Sequence, residues 1–417
     1  MKWYVPLISL SFALRIAQHS GNESQSANAN TAGLSEAQSH THTSVDPQLR
    51  VRPAGPTSRL NQLTIDVVVT DKAGNAITGL SPADVELFDN KVPVTVEAFE
   101  APSPASPSDA HSAQVVLVID AINSTHESLA RTYSQVQNAL SMDRGRLKQP
   151  IEILILSDTQ SITHNAKAPR SQTVALSNRR AFVRRIAAST DGLALAKALD
   201  QIVVPISRLP DAQESEAESE KARLTIQALD AIGTTELRLD GPKTLIWLSP
   251  GWSPFARSTK TQAALFDTIA YFADLLRDAR ITVDFIDTRG VFAGADPTPS
   301  APLDAIGQVF QNRAAPLANG QPTLNWYQSY YRAVTKQSQA SINDLALQVL
   351  AYQSGGAVLV RNNDLIQQIS RCINDARSSY ELSFKPSNVP DENYHDLELR
   401  IRRRNVIVRV RRGYYAK

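Results

Sequence analysis

Apolar positions recur along the chain with two different periods. From Leu63 the stretch TIDVVVTD alternates and is rich in β-branched residues, Lys72-Ala73-Gly74-Asn75 supplies a turn, and DVELFDN and VPVTVEAFE read as two further strands. Beyond residue 113 the pattern changes to short apolar runs separated by helical stretches, the mark of a parallel sheet covered on both faces. It predicts strands at Val115–Asp120, Ile151–Ser157, Thr244–Ser249, Ile281–Asp287 and Ala357–Val360. Helices are expected over His126–Met142, Asp191–Ile202, roughly Asp211–Ile232, Thr261–Ala279, Gln337–Gln353 and Asp364–Arg377. In the fourth of these, Leu265, Ile269, Phe272 and Leu275 share one face, which should pack on the sheet. The tail returns to β pattern in SSYELSFKP, DLELRIRR and VIVRVRRGYYA. Within it Leu397, Leu399 and Ile401 fall on one face and Glu398, Arg400 and Arg402 on the other. Neither β end is long enough to bury a core unaided, so the N- and C-terminal strands are expected to pair into one small β domain with the α/β domain inserted between them.

Between these blocks the composition marks boundaries. Residues 1–17 hold Lys2 and an apolar run from Trp3 to Leu14, too short to span a bilayer comfortably but suited to a signal peptide, with an uncleaved N-terminal anchor left open. Residues 18–60 are a polar, Ser- and Asn-rich spacer in which His40 and His42 form a lone H-x-H, read as solvated side chains. The N-terminal β segment occupies 61–100, and a linker with Pro102, Pro104 and Pro107 occupies 101–113. The α/β domain then covers 114–378 and the C-terminal β segment 379–417. The chain of 417 residues is 42% hydrophobic and 20% charged with formal net charge +2, so nothing draws it as a whole toward nucleic acid. A single cysteine, Cys372, excludes an intramolecular disulfide and reads as a small buried hydrophobe.

Several stretches together resemble the VWFA-related family described from acidobacteria, a branch of the von Willebrand factor type A superfamily. They are VVVTDKAGNAITGLSPADVELFDN, VVLVIDAINST, KTLIWLSPGW, ITVDFIDTRG, and SSYELSFKPSN with RRGYYA, in that order. The resemblance implies an α/β fold: a von Willebrand factor A-like, doubly wound, mostly parallel sheet with helices on both faces. It also implies a cation site at the C-terminal ends of the strands, held by a D-x-S-x-S loop, a threonine and a later aspartate. Mapped onto this sequence, the loop is Asp120-Ala121-Ile122-Asn123-Ser124, the threonine is Thr190, and the aspartate position falls on Pro250. Ile122 and Pro250 bring no side-chain oxygen. Asp120, Ser124 and Thr190 remain as a remnant metal set, with Asn123 as a substitute ligand. Asp158 belongs to a different strand register, and Asp287, two strands from Asp120 in the superfamily's order, would sit roughly 10 Å away. No cofactor is therefore expected, weak Mg²⁺ or Mn²⁺ binding being left open.

The functional expectation is an exported module (periplasmic, cell-envelope or secreted) that binds a protein partner in an adhesion-like role. It takes no nucleic acid, and peripheral or anchored membrane association is left open. Two alternatives stand beside it: an envelope assembly or scaffolding factor whose basic tail binds an anionic polymer, and a hydrolase. The sequence carries no G-x-S-x-G, G-x-x-x-x-G-K-[ST], H-E-x-x-H or G-x-G-x-x-G motif, so a non-enzymatic role is expected.

Overall fold

A computed structural model describes residues 43–44, 62–102, 113–158, 162–163, 179–204, 214–251, 260–289, 330–360, 362–386 and 394–416. The N-terminal apolar run expected to act as a signal peptide, the H-x-H pair His40 and His42, most of the spacer and most of the linker lie outside these residues. The described strands begin with β1 (Thr43–Ser44), β2 (Leu63–Asp71), β3 (Val85–Asp89), β4 (Val92–Val94) and β5 (Val96–Glu100). An alternating section follows: β6 (Gln114–Asp120), α1 (His126–Ser141), β7 (Arg146–Ser157), β8 (Ile162–Thr163), β9 (Phe182–Asp191), α2 (Gly192–Asp200), β10 (Ile202–Val203) and α3 (Glu214–Glu236). It continues with β11 (Lys243–Ser249), α4 (Gln262–Asp278), β12 (Ile281–Asp287), α5 (Leu347–Gln353), β13 (Val358–Leu359) and α6 (Leu365–Arg377). The chain ends in β14 (Tyr380–Phe384), β15 (Tyr394–Ile401), β16 (Val406–Val410) and β17 (Gly413–Tyr415).

The central sheet has the order β1-β9-β7-β6-β11-β12-β13. Its strands from β7 to β13 run parallel, and β9 is antiparallel to β7. Alternate residues of each buried strand feed two separate cores. Val116, Val118, Leu245, Trp247, Val283 and Phe285 point toward α3, α4 and α5. Val115, Leu117, Ile119, Ile246, Leu248 and Ile286 point toward α1, α2 and α6. Burial on both faces explains why these strands read as unbroken apolar runs instead of alternating. Reading β6 through β13 by chain order, the strands lie 3-2-1-4-5-6 from β9 to β13. The connections therefore reverse direction between β6 and β11, the place where an open α/β sheet leaves a crevice.

Two expectations fail here. Phe182–Asp191 is a strand that the sequence pattern does not announce, because Arg184 and Arg185 interrupt its apolar residues. Arg185 is drawn to the sheet by Glu152 at 2.5 Å and by the buried Glu236 at 2.9 Å. The single helix expected over Gln337–Gln353 is instead two 3₁₀ turns, at Gln337–Gln339 and Ile342–Leu345, followed by α5. Ala340, Ser341 and Ala346 are extended, and Ser341 restarts the chain with a capping box to Asp344.

Strands from the two ends of the chain interleave in two four-stranded antiparallel sheets, β16-β2-β14-β5 and β17-β15-β3-β4. The segment VPVTVEAFE, read as one strand, divides at Thr95: β4 joins one sheet and β5 the other. Their shared core holds Ile65, Val67, Leu87, Leu382, Phe384 and Leu397. Ion pairs join these sheets to the α/β layers. Arg280, after α4, reaches Asp66 and Glu381 at 2.7 Å each, and Arg409 of β16 reaches Asp375 of α6 and Asp284 of β12.

Candidate functional site

Asp120 is the last residue of β6 and Ser249 the last of β11. The parallel register that pairs Ile119 with Leu248 sets them side by side at the reversal point. Beyond Asp120 the chain turns through Ala121–Ser124 into α1, whose N-terminus is capped by Thr125 accepting from the Ser128 N–H. The Asp120 carboxylate is fully buried. Its Oδ2 accepts from Ser249 Oγ at 2.7 Å and from Asn123 Nδ2 at 2.7 Å, while Oδ1 accepts from the Asn123 N–H at 3.1 Å. Burial pushes its pKa above the usual carboxylate range, and the Asn123 and Ser249 hydrogen bonds oppose that rise.

The donors are themselves held. Asn123 Nδ2 also donates to Thr225 Oγ1 at 2.8 Å, and that hydroxyl in turn donates to the Lys221 carbonyl within α3. Ser249 Oγ accepts from the Gly251 N–H at 2.9 Å. Ser124 turns back and donates to the Asp120 main-chain carbonyl at 2.6 Å, so its hydroxyl does not join the carboxylate. Gly251 has φ +77°, and a Cβ there would stand 2.7 Å from Gln348 Nε2 of α5. Glycine is thus favoured by the left-handed conformation, while the Gln348 side-chain end could shift to admit a Cβ.

The sequence-expected metal set is only partly brought together. Asp120, Asn123 and Ser124 share one loop, but Thr190 does not reach it. Because β9 runs antiparallel, its end lies at the opposite edge of the sheet: Ser189 pairs with Ile151, and Ile151 with Val115, five positions before Asp120. At about 3.3 Å per residue this puts Thr190 more than ~16 Å from the Asp120 end, on the exposed surface. Ile122 is buried in the core on the α3 side, filling with hydrocarbon the position where the resemblance expects an oxygen. Asp158 is bound to Arg179 at 2.7 Å, and Asp287, two strands over, to Arg289 at 2.5 Å. A divalent cation needs several oxygens turned toward one point. Here Ser249 and Asn123 turn O–H and N–H donors toward the carboxylate, and Asn123 Oδ1 is the cluster's buried oxygen without a partner; one such oxygen is too few, and the described residues do not fit a Mg²⁺ cage.

Thr225 and Ser249 belong to the site and were not singled out from the sequence. Ser249 carried a signal, being the polar terminus of the otherwise apolar KTLIWLS, whereas Thr225 is an ordinary mid-helix residue whose burial depends on how α3 crosses the sheet.

A second polar cluster lies within the β-sheet core. Asp89, His395 and Tyr414 are all buried. His395 Nδ1 is 2.7 Å from Asp89 Oδ1, and Tyr414 donates to Asp89 Oδ2 at 2.7 Å. The side chains are of acid–base type, but they are closed off from substrate and fasten β3, β15 and β17 together.

No family model matches the chain, and no curated protein matches it. Among solved structures it is similar to the human COPII-coat protein Sec24c, at 8% identity and a TM-score of 0.29, covering 79% of this chain and 46% of that one. It is also similar to the open conformation of the pilus adhesin SpaC from Lactobacillus rhamnosus GG, at 9% identity and a TM-score of 0.24, covering 82% of this chain and 50% of that one. The chain spans about half the length of these structures. Likenesses at these scores carry no functional weight.

Proposed function

We propose that this chain is an exported, cell-envelope binding module of von Willebrand factor A-like architecture, and that it recognises a protein partner without a bridging cation. The observation that carries the reading is the hydrogen-bond cluster of Asp120, Asn123, Ser249 and Thr225 at the reversal point of the sheet, in which both Asp120 oxygens accept from protein donors and Asn123 Oδ1 is left without a partner. In a cation-dependent module the carboxylate would be offered to the ion, and the ion to the partner. With both Asp120 oxygens engaged internally, the cluster rigidifies the edge from which the loops present themselves, and contact falls to those loops. Binding rather than catalysis is favoured because Asp120 is sealed in the interior and the Asp89–His395–Tyr414 group is enclosed.

The alternative of an anionic-polymer scaffold receives less support, since part of the tail's positive charge is cancelled. Arg402 pairs with Glu86 at 2.6 Å and Arg400 with Glu398 at 2.7 Å, while Arg403, which donates to the neutral Thr78 and Gly79 carbonyls, and the exposed Arg404 keep their charge. The positive charge that remains there sits at the tip of one hairpin.

The test is retention of envelope proteins on the immobilised full chain, alongside cell fractionation. The reading expects the native protein outside the cytoplasm, and the same partner retained in EDTA and in millimolar Mg²⁺. Retention abolished by EDTA would overturn the cation-independent part, and a cytoplasmic native protein the envelope part.

A further inference from the structure

The hairpin that joins β15 to β16 straddles the two β sheets. β15 pairs with β3 and, at Tyr394–Asp396, with β17, whereas β16 crosses to pair with β2. Where the two strands diverge they leave an open groove of about 310 Å³, bounded on its other side by Tyr331, Arg332 and Tyr352. The volume lies at the lower end of the range of small-molecule sites. None of its lining belongs to the Asp120 cluster.

One wall is flat and aromatic. Tyr331 and Tyr352 stack with ring centroids 4.4 Å apart and planes 10° from parallel, and the Arg412 guanidinium lies 4.4 Å over the Tyr352 ring. The opposite wall is acidic, because Asp396 and Glu398 stand on the outward face of β15. Asp396 has no side-chain hydrogen bond among the described residues, and its pKa is raised by partial burial and then by the neighbouring Glu398. Glu398 is already paired with Arg400 at 2.7 Å, so Asp396 is the open carboxylate of this wall, with Arg332 and Arg412 among the other lining residues. Behind the walls the Tyr331 and Tyr394 hydroxyls and Arg412 Nε are buried without partners. Buried tyrosine hydroxyls ordinarily find one.

This set of groups narrows the ligand by charge and by hydrogen bonding. An anion would meet Asp396, a cation would meet Arg332 and Arg412, and an apolar ligand would strip water from all three without compensation. A neutral molecule that both donates and accepts, and that has a flat apolar face to lay on a tyrosine, satisfies every wall. We propose that this groove binds a neutral saccharide, one or two rings in extent, with Asp396 accepting from ring hydroxyls, Arg332 and Arg412 donating to them, and the tyrosine wall supporting a ring face.

The test is saturation-transfer NMR on the full chain with maltose, cellobiose and N,N′-diacetylchitobiose, followed by titration of any that binds. Parallel probes are benzoate, benzamidine and an uncharged tetra-alanine peptide with blocked ends. Saturable binding of at least one disaccharide is expected, weakened about tenfold in Asp396→Asn, as loss of a charge-assisted hydrogen bond implies. Tyr331→Ala should weaken it comparably. Because partial burial and Glu398 already disfavour the charge on Asp396, Asp396→Asn should not lower the melting temperature, so its loss of binding cannot be ascribed to unfolding. Three outcomes would overturn the proposal: no transfer to any of the three sugars at about 20 mM, sugar binding unaffected by both substitutions, or preference for the charged probes or the peptide.

Discussion

Ser249→Ala removes the hydroxyl that donates to Asp120 Oδ2 at 2.7 Å and accepts from the Gly251 N–H at 2.9 Å, and leaves the rest of β11 unchanged. A hydrogen bond to an ionised group contributes about 1.5–3 kcal/mol, and an orphaned buried donor costs about 1–3 kcal/mol, although Gly251 lies near the surface and regains part of this from water. A loss of about 2–4 kcal/mol is therefore expected, read as a lower midpoint in urea with an unchanged slope. The pH dependence gives a second, independent readout. Asp120 has a folded pKa above its unfolded value, so its contribution is fully present below about pH 4 and is lost as pH rises through the folded pKa. Taking away a donor that favours the ionised form raises that pKa further. The deficit of Ser249→Ala should consequently widen as pH rises above the unfolded carboxylate range and through the folded pKa. A loss below about 0.5 kcal/mol, or one that does not grow as pH rises, would refute the view that Ser249 serves the Asp120 carboxylate.

Three further outcomes follow. Asp344, whose pKa burial lifts to about 6, stabilises most below about pH 4 and loses that contribution as pH rises through about 6; urea midpoints of Asp344→Asn should therefore gain on the wild type between pH 4 and pH 7, by about 3 kcal/mol at most. Arg280→Met strands Asp66 and Glu381 at the contact between the β sheets and the α/β layers and should cost about 2–4 kcal/mol; a double-mutant cycle with Asp66→Asn should return much of it as coupling. Gly251→Ala forces a left-handed alanine against Gln348 and should cost about 1–3 kcal/mol by thermal or urea unfolding.

Much of the architecture was legible because burial on both faces leaves a recognisable signal: KTLIWLS and ITVDFID are short, nearly unbroken apolar runs, and each is a strand of the central sheet. The interleaving of the two β ends followed from a size argument, since neither Leu63–Phe99 nor the tail can bury a core alone. β9 was not legible, because its central arginines are explained only by Glu152 and Glu236, which lie elsewhere in the chain. Asp120 and Asn123 were legible as neighbours in one loop. Thr190 was misplaced for a physical reason: its position before a small-residue helix says nothing about whether the preceding strand runs parallel or antiparallel, and that direction decides which edge of the sheet it occupies. Thr225 had no signal in sequence, since its neighbours in α3 are defined by how two helices and a strand end meet in space.

The central claim is that the Asp120 cluster does the structural work of an ion by itself. Thermal unfolding in EDTA, set against millimolar Mg²⁺ and Mn²⁺ at matched ionic strength, tests it most directly. A cation at a hundredfold excess over its dissociation constant would add roughly 2.7 kcal/mol to the folded state. The account predicts superimposable transitions. A rise of several degrees with Mg²⁺ or Mn²⁺, absent in Asp120→Asn, would contradict it.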